Sequence, residues 1–159
     1  MSKTTSPNIT KNFKFYEFVT TSNAQYAEEN YQYGQDNYEK VVVMAKEMQK
    51  VRDLVGHPII ISSAVRCPGL NKAVGGAKNS QHVKCEAIDF IVVVQGSNKS
   101  ILWEVFKKIR TSAVDFDQLI YEVRGKSEWI HISFCEFGRR ECLTFDGKKY
   151  TKINPKEVL

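Results

Sequence analysis

The stretch SQHVKCEAID, residues 80–89, places a histidine and an aspartate where a loop is expected to lead into a strand. The stretch EWIH, residues 128–131, adds a glutamate and a second histidine. A hydrolytic zinc ion takes three protein ligands from His and Asp or Glu, keeps a fourth position for water, and needs a carboxylate nearby to accept a proton from that water. Because the chain has only three histidines, these two stretches predict a catalytic zinc site.

The first stretch must bend if it is to supply two ligands to one ion. A straight strand rises about 3.3 Å per residue, which separates the backbones of His82 and Asp89 too far for both side chains to reach one ion. We therefore expect a turn around Lys84 and Cys85. Asp89 is then expected on the strand predicted for residues 86–94, where alternation fixes the face on which its side chain lies.

The second stretch leads into a strand predicted for residues 129–134. Alternation along an ideal strand puts His131 on one face and Glu128, three positions earlier, on the opposite face. For Glu128 to reach water at the ion, the chain must twist or bulge near Trp129.

Composition indicates one compact domain with an excess of positive charge. The chain has 159 residues, is 42% hydrophobic and carries a formal net charge of +5. This length suits one domain of ordinary size. The charge favours polyanionic surroundings such as nucleic acid, acidic membrane surfaces or a bacterial cell wall, but the lysines and arginines are dispersed as on a solvated surface. We expect a monomer that does not bind nucleic acid.

The cysteines and the first residues bear on the compartment. Residues 1–12 are polar and lack the apolar core of a signal peptide, and no run is long enough to span a bilayer. We expect synthesis in the cytoplasm without a signal peptide, and no membrane insertion. The cysteines have neither paired C-x-x-C spacing nor the density of a disulfide scaffold, so we expect four free thiols. They are Cys67, Cys85, Cys135 and Cys142.

Periodicity predicts an α+β domain, with a small, mainly antiparallel sheet flanked by helices. Residues 1–12 are expected to form a flexible arm and residues 13–159 the folded domain. That domain opens on an aromatic segment, residues 13–18, which is expected to pack on the core. A long connection over residues 66–81 is of the kind that is usually functional or disordered. The predicted helices cover residues 38–54 and 97–112, the latter with Ser97 as N-cap, and the predicted strands cover residues 58–64, 86–94, 117–123 and 129–134, followed by a C-terminal hairpin at Asp146-Gly147.

Four motifs in a fixed order give the chain a resemblance to a known family. They are SSAVRCPGLN at residues 62–71, GGA at residues 75–77, SQHVKCEAID, and EWIH. Together they resemble the zinc D-alanyl-D-alanine peptidase family over roughly residues 13–134. That family includes D-Ala-D-Ala carboxypeptidases and dipeptidases, and L-Ala-D-Glu endopeptidases found among phage endolysins, all acting on peptidoglycan peptides. The resemblance implies the family's fold, an architecture that the signalling domain of Hedgehog proteins shares.

The resemblance implies the metal ligands and the general base. It makes His82, Asp89 and His131 the ligands of a Zn²⁺ ion, with zinc-bound water as the nucleophile. Glu128 would be the general base, which takes the water's proton and later delivers it to the departing amine.

The resemblance also implies the residues that hold the substrate. Arg66 would lie beside the scissile bond, where a guanidinium can bind a substrate carboxylate or stabilise the oxyanion. Ser80 matches a position that binds substrate in relatives, and Gln81 is a candidate of the same kind. Cys85 departs from the pattern, since relatives carry Gly in this stretch. We interpret Cys85 as a small buried thiol, with zinc ligation by its sulfur as the alternative.

The sequence therefore predicts a zinc metallopeptidase that hydrolyses a peptide bond in bacterial peptidoglycan stem peptides. The D-Ala-D-Ala carboxypeptidase and L-Ala-D-Glu endopeptidase types remain open, and a phage lysin that acts on the cell wall is the predicted setting. Three alternatives belong to other classes: a non-catalytic zinc-binding module of the same fold, a cysteine hydrolase that uses Cys85 or Cys67, and a basic nucleic-acid-binding domain. The presence of Glu128 argues against the first of these.

Overall fold

A computed structural model of the protein describes residues 6–154. Its six strands form one mixed sheet in the order β1-β2-β4-β3-β5-β6. The α+β class predicted from the sequence is confirmed. None of the helices within the described residues is long and apolar enough to cross a bilayer. The helices are α1 (Phe15–Val19), α2 (Ala27–Asp36), α3 (Tyr38–Val55), α4 (Pro68–Ala73) and α5 (Leu102–Arg110), with a short 3-10 helix at Ala24–Tyr26, and the strands are β1 (Ile59–Ser63), β2 (Ala87–Val92), β3 (Gln118–Arg124), β4 (Ser127–Ser133), β5 (Glu141–Phe145) and β6 (Tyr150–Lys152).

Contacts between Cα atoms divide the chain into two units. The first runs up to Gln49 and takes in Ile61–Ile88, and the second comprises Lys50–Ile60 and the residues from Asp89 onward. In the first unit, Phe13 and Phe18 are buried and meet edge to face, with ring centroids 5.8 Å apart. The predicted docking of the aromatic segment is thereby confirmed.

The helix predicted over residues 38–54 is also confirmed, as α3. Its apolar residues recur at spacings of three and four, which places them on one side of a helix. Of these, Val41, Met44 and Met48 are fully buried.

The segment from Ser6 onward is attached to the first unit, although the sequence predicts a flexible arm up to residue 12. Ser6 is buried, and its Oγ accepts a hydrogen bond from the backbone N–H of Tyr16 at 2.9 Å. The N–H of Asn12 donates to Oε1 of Gln49 at 3.0 Å. The rest of the predicted arm, residues 1–5, lies outside the described residues.

In the second unit, α5 packs on one face of the pair formed by β3 and β4. The ring of Tyr121 on β3 lies 5.2 Å from that of Trp103 and 6.2 Å from that of Phe106, measured between centroids. The predicted start of this helix is wrong, because α5 begins only at Leu102. Ser97, the predicted N-cap, instead accepts a hydrogen bond from the N–H of Lys99 within the preceding loop.

The pairings around β3 set the order of its neighbours. β3 runs antiparallel to β4 and parallel to β5, and β5 and β6 form an antiparallel hairpin. The hairpin predicted at Asp146-Gly147 is present, with four residues between the paired Phe145 and Tyr150. Oδ1 of Asp146 accepts the N–H groups of Lys148 and Lys149, each at 2.9 Å, which closes the turn.

Candidate metal centre

The loop that carries His82 is a compact run of turns. The carbonyl of His82 accepts the N–H of Cys85 at 3.2 Å, and that of Gln81 accepts the N–H of Glu86 at 2.9 Å. Oγ of Ser80 accepts the N–H of His82 at 3.2 Å. The turn that the sequence required between His82 and the following strand is therefore present. In this arrangement Ser80 and Gln81 shape the loop, and their predicted contact with substrate stays a prediction.

The imidazole of His82 is oriented by a backbone carbonyl. Its Nδ1 lies 2.8 Å from the carbonyl oxygen of Ala64, and the residue is only 4% exposed. A carbonyl can only accept, so Nδ1 carries a hydrogen, and in the neutral ring this leaves the lone pair on Nε2. This pattern is typical of metal-binding histidines, whose second ring nitrogen is fixed by a hydrogen bond of this kind.

Two helices of the first unit hold the same loop from outside. The hydroxyl of Tyr33 on α2 donates to the carbonyl of Val83 at 2.8 Å, and Nζ of Lys40 on α3 donates to the carbonyl of Lys84 at 3.1 Å. These bonds satisfy backbone groups that the turn leaves unpaired. The loop is therefore held by two side chains, Tyr33 and Lys40, that no sequence pattern associates with it.

Cys85 has the unusual backbone angle that its family position suggested. Its φ is +57°, in the left-handed region that favours glycine, and its side chain is 1% exposed. Burial raises the pKa of the thiol to about 11. The group of side chains that could share a metal ion does not include Cys85 among the described residues. The interpretation of Cys85 as a buried thiol is thus supported, and ligation by its sulfur is not.

Asp89 and His131 meet directly. Asp89 lies on β2 and His131 on β4, and Oδ1 of Asp89 is 2.8 Å from Nδ1 of His131. Their side chains are 15% and 11% exposed. An imidazole and a carboxylate side by side are donor groups of the kinds that would hold a zinc ion.

The three predicted ligands form one group that could hold a metal ion. His82, Asp89 and His131 each provide one ligand atom, and these atoms all lie within 4.8 Å of one another. Two imidazoles and one carboxylate are the donor set of catalytic zinc sites, which keep a further position open. The donor chemistry and the tautomer of His82 both fit a zinc ion.

Glu128 is placed differently from these three residues. The register from Arg124↔Ser127 to Leu119↔Ile132 contains no skipped residue, so the bulge that the sequence allowed near Trp129 is absent. The carboxylate of Glu128 accepts a hydrogen bond from the hydroxyl of Tyr121, a residue that packs against α5. Burial and, after it, the hydrogen bond to Glu128 together raise the pKa of Tyr121 to about 12.

Arg66 is fixed in the first unit by three contacts. Its N–H bonds to the carbonyl of His82 at 3.2 Å, and its guanidinium donates to Oδ1 of Asn71 at 3.2 Å and to Oγ of Ser63 at 3.3 Å. A Cβ on Gly76 would lie 2.0 Å from Oδ1 of Asn71 and 3.0 Å from Nη1 of Arg66. This glycine is required because the Asn71 and Arg66 side chains occupy the space beside it.

The comparison with known families agrees with the geometry. The family model for Peptidase M15 matches residues 13–133. This chain belongs to the peptidase M15 family. No curated protein matches it. Membership of the peptidase M15 family implies a zinc peptidase that acts on peptidoglycan-type substrates, and it confirms the family that the four motifs predicted.

The sequence missed two polar residues near the proposed site of this peptidase M15 protein. Asn30 on α2 is fully buried, donates to the carbonyls of Val19 and Val65 at 2.7 and 3.0 Å, and accepts the N–H of Cys67 at 2.7 Å. It thereby clamps the backbone on both sides of Arg66. The only signal was an asparagine in a polar stretch, which by itself predicts a solvated residue.

The second missed residue is Glu122 on β3. It is 7% exposed and lies opposite Trp129, two positions along β4 from His131, so it shares the sheet face of His131. The strand predicted for residues 117–123 contains no recognisable motif, so the sequence did not identify Glu122 as a functional candidate. A buried acidic residue on the face of a predicted metal ligand is a second candidate for proton transfer.

Proposed function

We propose that the protein hydrolyses a peptide bond within the stem peptides of bacterial peptidoglycan, as a carboxypeptidase or an endopeptidase. The observation that carries this proposal is the convergence of His82, Asp89 and His131 on one point. An ion held there would act as a Lewis acid on the peptide carbonyl and would lower the pKa of a water molecule. The remaining tasks fall to side chains of the chain itself.

These side chains have separate tasks. His82, Asp89 and His131 hold the ion, and the bond from Nδ1 of His82 to Ala64 keeps the ring in the productive tautomer. Arg66 is proposed to stabilise the negative charge that develops on the carbonyl oxygen or to hold a substrate carboxylate. Its contacts with Asn71 and Ser63 hold its guanidinium in place before substrate binds.

Glu128 is proposed as the general base, on the strength of the E-x-x-H motif. It would accept a proton from the attacking water and deliver it to the departing amine. Since an ideal strand puts residues 128 and 131 on opposite faces, this role requires the start of β4 to twist so that the carboxylate leaves Tyr121. Glu122 lies on the His131 face without such a change, which makes it the comparison that the test needs.

Mass spectrometry of purified muropeptides tests the reaction and the base together. Wild type, Glu128→Gln and Glu122→Gln are loaded with zinc, checked for equal metal content, and incubated with the same muropeptides. We expect cleavage by wild type and at least a hundredfold loss for Glu128→Gln, while Glu122→Gln retains turnover. Loss only in Glu122→Gln would move the base to Glu122. The mass of the released fragment distinguishes removal of a terminal residue from cleavage inside the stem.

The contact between Glu128 and Tyr121 also favours a second candidate function. A zinc-binding module of the same fold would keep the three ligands while its glutamate plays a structural part on the other face of the strand. Absence of cleavage by zinc-loaded wild type, with intact metal content, would support this candidate over the peptidase.

We further propose a lytic role of the phage type, which rests on the family resemblance and on the net charge of +5, suited to an acidic wall. The test is the clearing of a suspension of permeabilised bacteria. We expect wild type to reduce the turbidity and the metal-ligand variant His131→Ala to leave it unchanged. Equal clearing by both proteins would contradict the lytic role.

A further inference from the structure

A basic and aromatic surface lies on the His131 face of the sheet in the second unit. The register pairs Glu122 with Trp129 on β4 and with Phe145 on β5, and pairs Phe145 with Tyr150 on β6. Residues directly opposite one another share a face. We call the set Arg124, Trp129, Phe145 and Tyr150 the Arg124 surface.

The guanidinium of Arg124 is held between two aromatic rings. Its central carbon lies 4.8 Å from the ring centroid of Phe145 and 5.8 Å from that of Trp129. The ring of Tyr150 lies 4.5 Å from that of Phe145 and extends the aromatic surface to β6. Contacts of this kind restrict the orientation of an arginine but leave its N–H groups at the ring edge able to bind an anion.

This guanidinium is accessible to a ligand. The Arg124 side chain is 59% exposed, and its ion pair with Glu122, at 3.9 Å, is longer than a hydrogen bond. Exposed Lys126, Lys148 and Lys149 occupy the two turns that follow β3 and β5, which end at the same edge because these strands are parallel. Their charge exceeds that of Asp146 in the same turns and favours an anionic ligand.

The Arg124 surface is continuous with the proposed metal centre. Trp129 is two positions from His131 on the same strand, a rise of about 7 Å, so the surface begins within the length of two or three peptide residues from the metal ligands. The pKa of Tyr150 is raised, first by partial burial and then by the charge of Glu122, while the charge of Arg124 and its hydrogen bond to the phenol oppose this rise.

We infer that Arg124 binds a carboxylate of the substrate peptide, two or three residues from the bond that is cleaved, and so selects acidic peptides. This inference rests on the proposed function and adds to it a specificity determinant outside the metal-binding motifs. A stem peptide suits such a site because it contains carboxylates that are not used in its peptide bonds. The aromatic rings flanking Arg124 would cover the peptide backbone next to that carboxylate.

The test uses two synthetic stem peptides that differ only in one side-chain or terminal group, which is a carboxylate in one and a carboxamide in the other. Arg124→Met removes the charge and keeps most of the side-chain length. We expect wild type to prefer the acidic peptide. Arg124→Met should lower kcat/KM for this peptide by about 10- to 100-fold, mainly through KM, and leave the amide peptide unchanged, since hydrogen bonds between charged groups are of that strength.

The matched control is Lys108→Met, which removes one exposed positive charge from α5, on the other face of β3 and β4. It should leave the preference for the acidic peptide intact. Equal losses on both peptides in Arg124→Met, no loss on either, or an equal change in Lys108→Met would overturn the inference.

Calorimetric titration of the zinc-loaded proteins with the same two peptides separates this inference from the proposed reaction. If wild type binds the acidic peptide more tightly and Arg124→Met abolishes that difference, the inference stands even when no peptide is cleaved. If both proteins bind the two peptides alike, the inference fails even when cleavage is observed.

Discussion

Nδ1 of His131 lies 2.8 Å from Oδ1 of Asp89, so that neighbouring strands β2 and β4 bring two proposed metal ligands into contact. Both side chains would help to hold a zinc ion at this site. Asp89→Asn keeps the shape of the side chain but removes the negative charge that the ion requires. Because loss of an outer-shell partner already lowers metal affinity by about 10- to 100-fold, we expect a larger decrease here. Zinc content after dialysis measures it.

The control for this change is Asp115→Asn, since the Asp115 side chain is 98% exposed. It should retain zinc in the same dialysis. Equal zinc content in Asp89→Asn and Asp115→Asn would remove Asp89 from the metal centre.

His82 and His57 offer a test of which imidazoles bind the ion. His82→Gln should abolish the increase in Tm that zinc produces in wild type, while His57→Gln should retain it, because His57 is not in the group of converging ligands. Saturation at about 100 times Kd stabilises the folded state by about 2.7 kcal/mol, which corresponds to an increase of several degrees for a chain of this length. Differential scanning fluorimetry measures both variants, and loss of the zinc effect in His57→Gln alone would contradict the assignment.

The cysteine-hydrolase alternative predicts a reactive thiol. Burial raises the pKa of Cys85 to about 11, so at pH 8 only about one molecule in a thousand carries the thiolate that an alkylating reagent attacks. We expect iodoacetamide to label the exposed Cys135 of the native protein and to spare Cys85. Peptide mapping would show this. Rapid labelling of Cys85 together with loss of turnover would favour the cysteine hydrolase over the zinc peptidase.

The raised pKa of Cys85 also predicts that the stability of the protein decreases at alkaline pH. The folded pKa of Cys85, about 11, lies above the model value of 9.0, so the unfolded chain ionises first. The stabilisation is complete below pH 9 and is lost as the pH rises towards 11. Because one pKa unit corresponds to about 1.4 kcal/mol, this contribution to the free energy of unfolding is at most about 3 kcal/mol. Urea unfolding at pH 8 and pH 10.5 should show a smaller difference for Cys85→Ala than for wild type, and identical differences would contradict the shift.

Asn30 is expected to be the most sensitive polar position of the first unit. Asn30→Ala leaves two buried carbonyls and one N–H without their partner, and each unsatisfied group costs about 1–3 kcal/mol. We expect a decrease of about 3–5 kcal/mol in the free energy of unfolding, measured with urea. Gln32→Ala, on the exposed side of the same helix, should change it by less than about 0.5 kcal/mol. Similar values for the two variants would disprove the proposed clamp.

The grouping of His82, Asp89 and His131 could be predicted from the sequence because zinc-binding chemistry leaves few choices. With three histidines in the chain, the requirement that His82 and Asp89 reach one ion also implied the turn at Lys84 and Cys85. Elements with a periodic apolar pattern, such as α3, were found for a similar reason. In each case the local sequence pattern predicts the same residues that the folded structure uses.

The helix α2 could not be predicted in this way because it buries only Asn30 and Gly34. Its fold depends on hydrogen bonds to distant carbonyls, and no local pattern reveals these. The start of α5 was misplaced for a related reason: Ser97 and Ser100 each accept a hydrogen bond from the N–H group two residues further along the chain, as serine often does outside helix interiors.

The placement of Glu128 shows the limit of a motif. E-x-x-H states which residue types occur, but the face on which each side chain lies depends on the local twist of β4. The strand register is a property of the sheet, in which β3 supplies partners for every residue from Ser127 to Ile132. The same register places Glu122 on the sheet face of His131, and this placement cannot be predicted from the sequence of β3 alone.

The parallel pairing of β3 with β5 has a practical consequence for anyone trimming this gene. The family match ends at residue 133, ahead of β5 at Glu141–Phe145. A fragment cut there would turn an interior strand into a bare edge, with unpaired backbone groups that invite other chains to add to it. Expression boundaries should therefore extend at least through Lys152, and shorter versions are expected to accumulate as inclusion bodies.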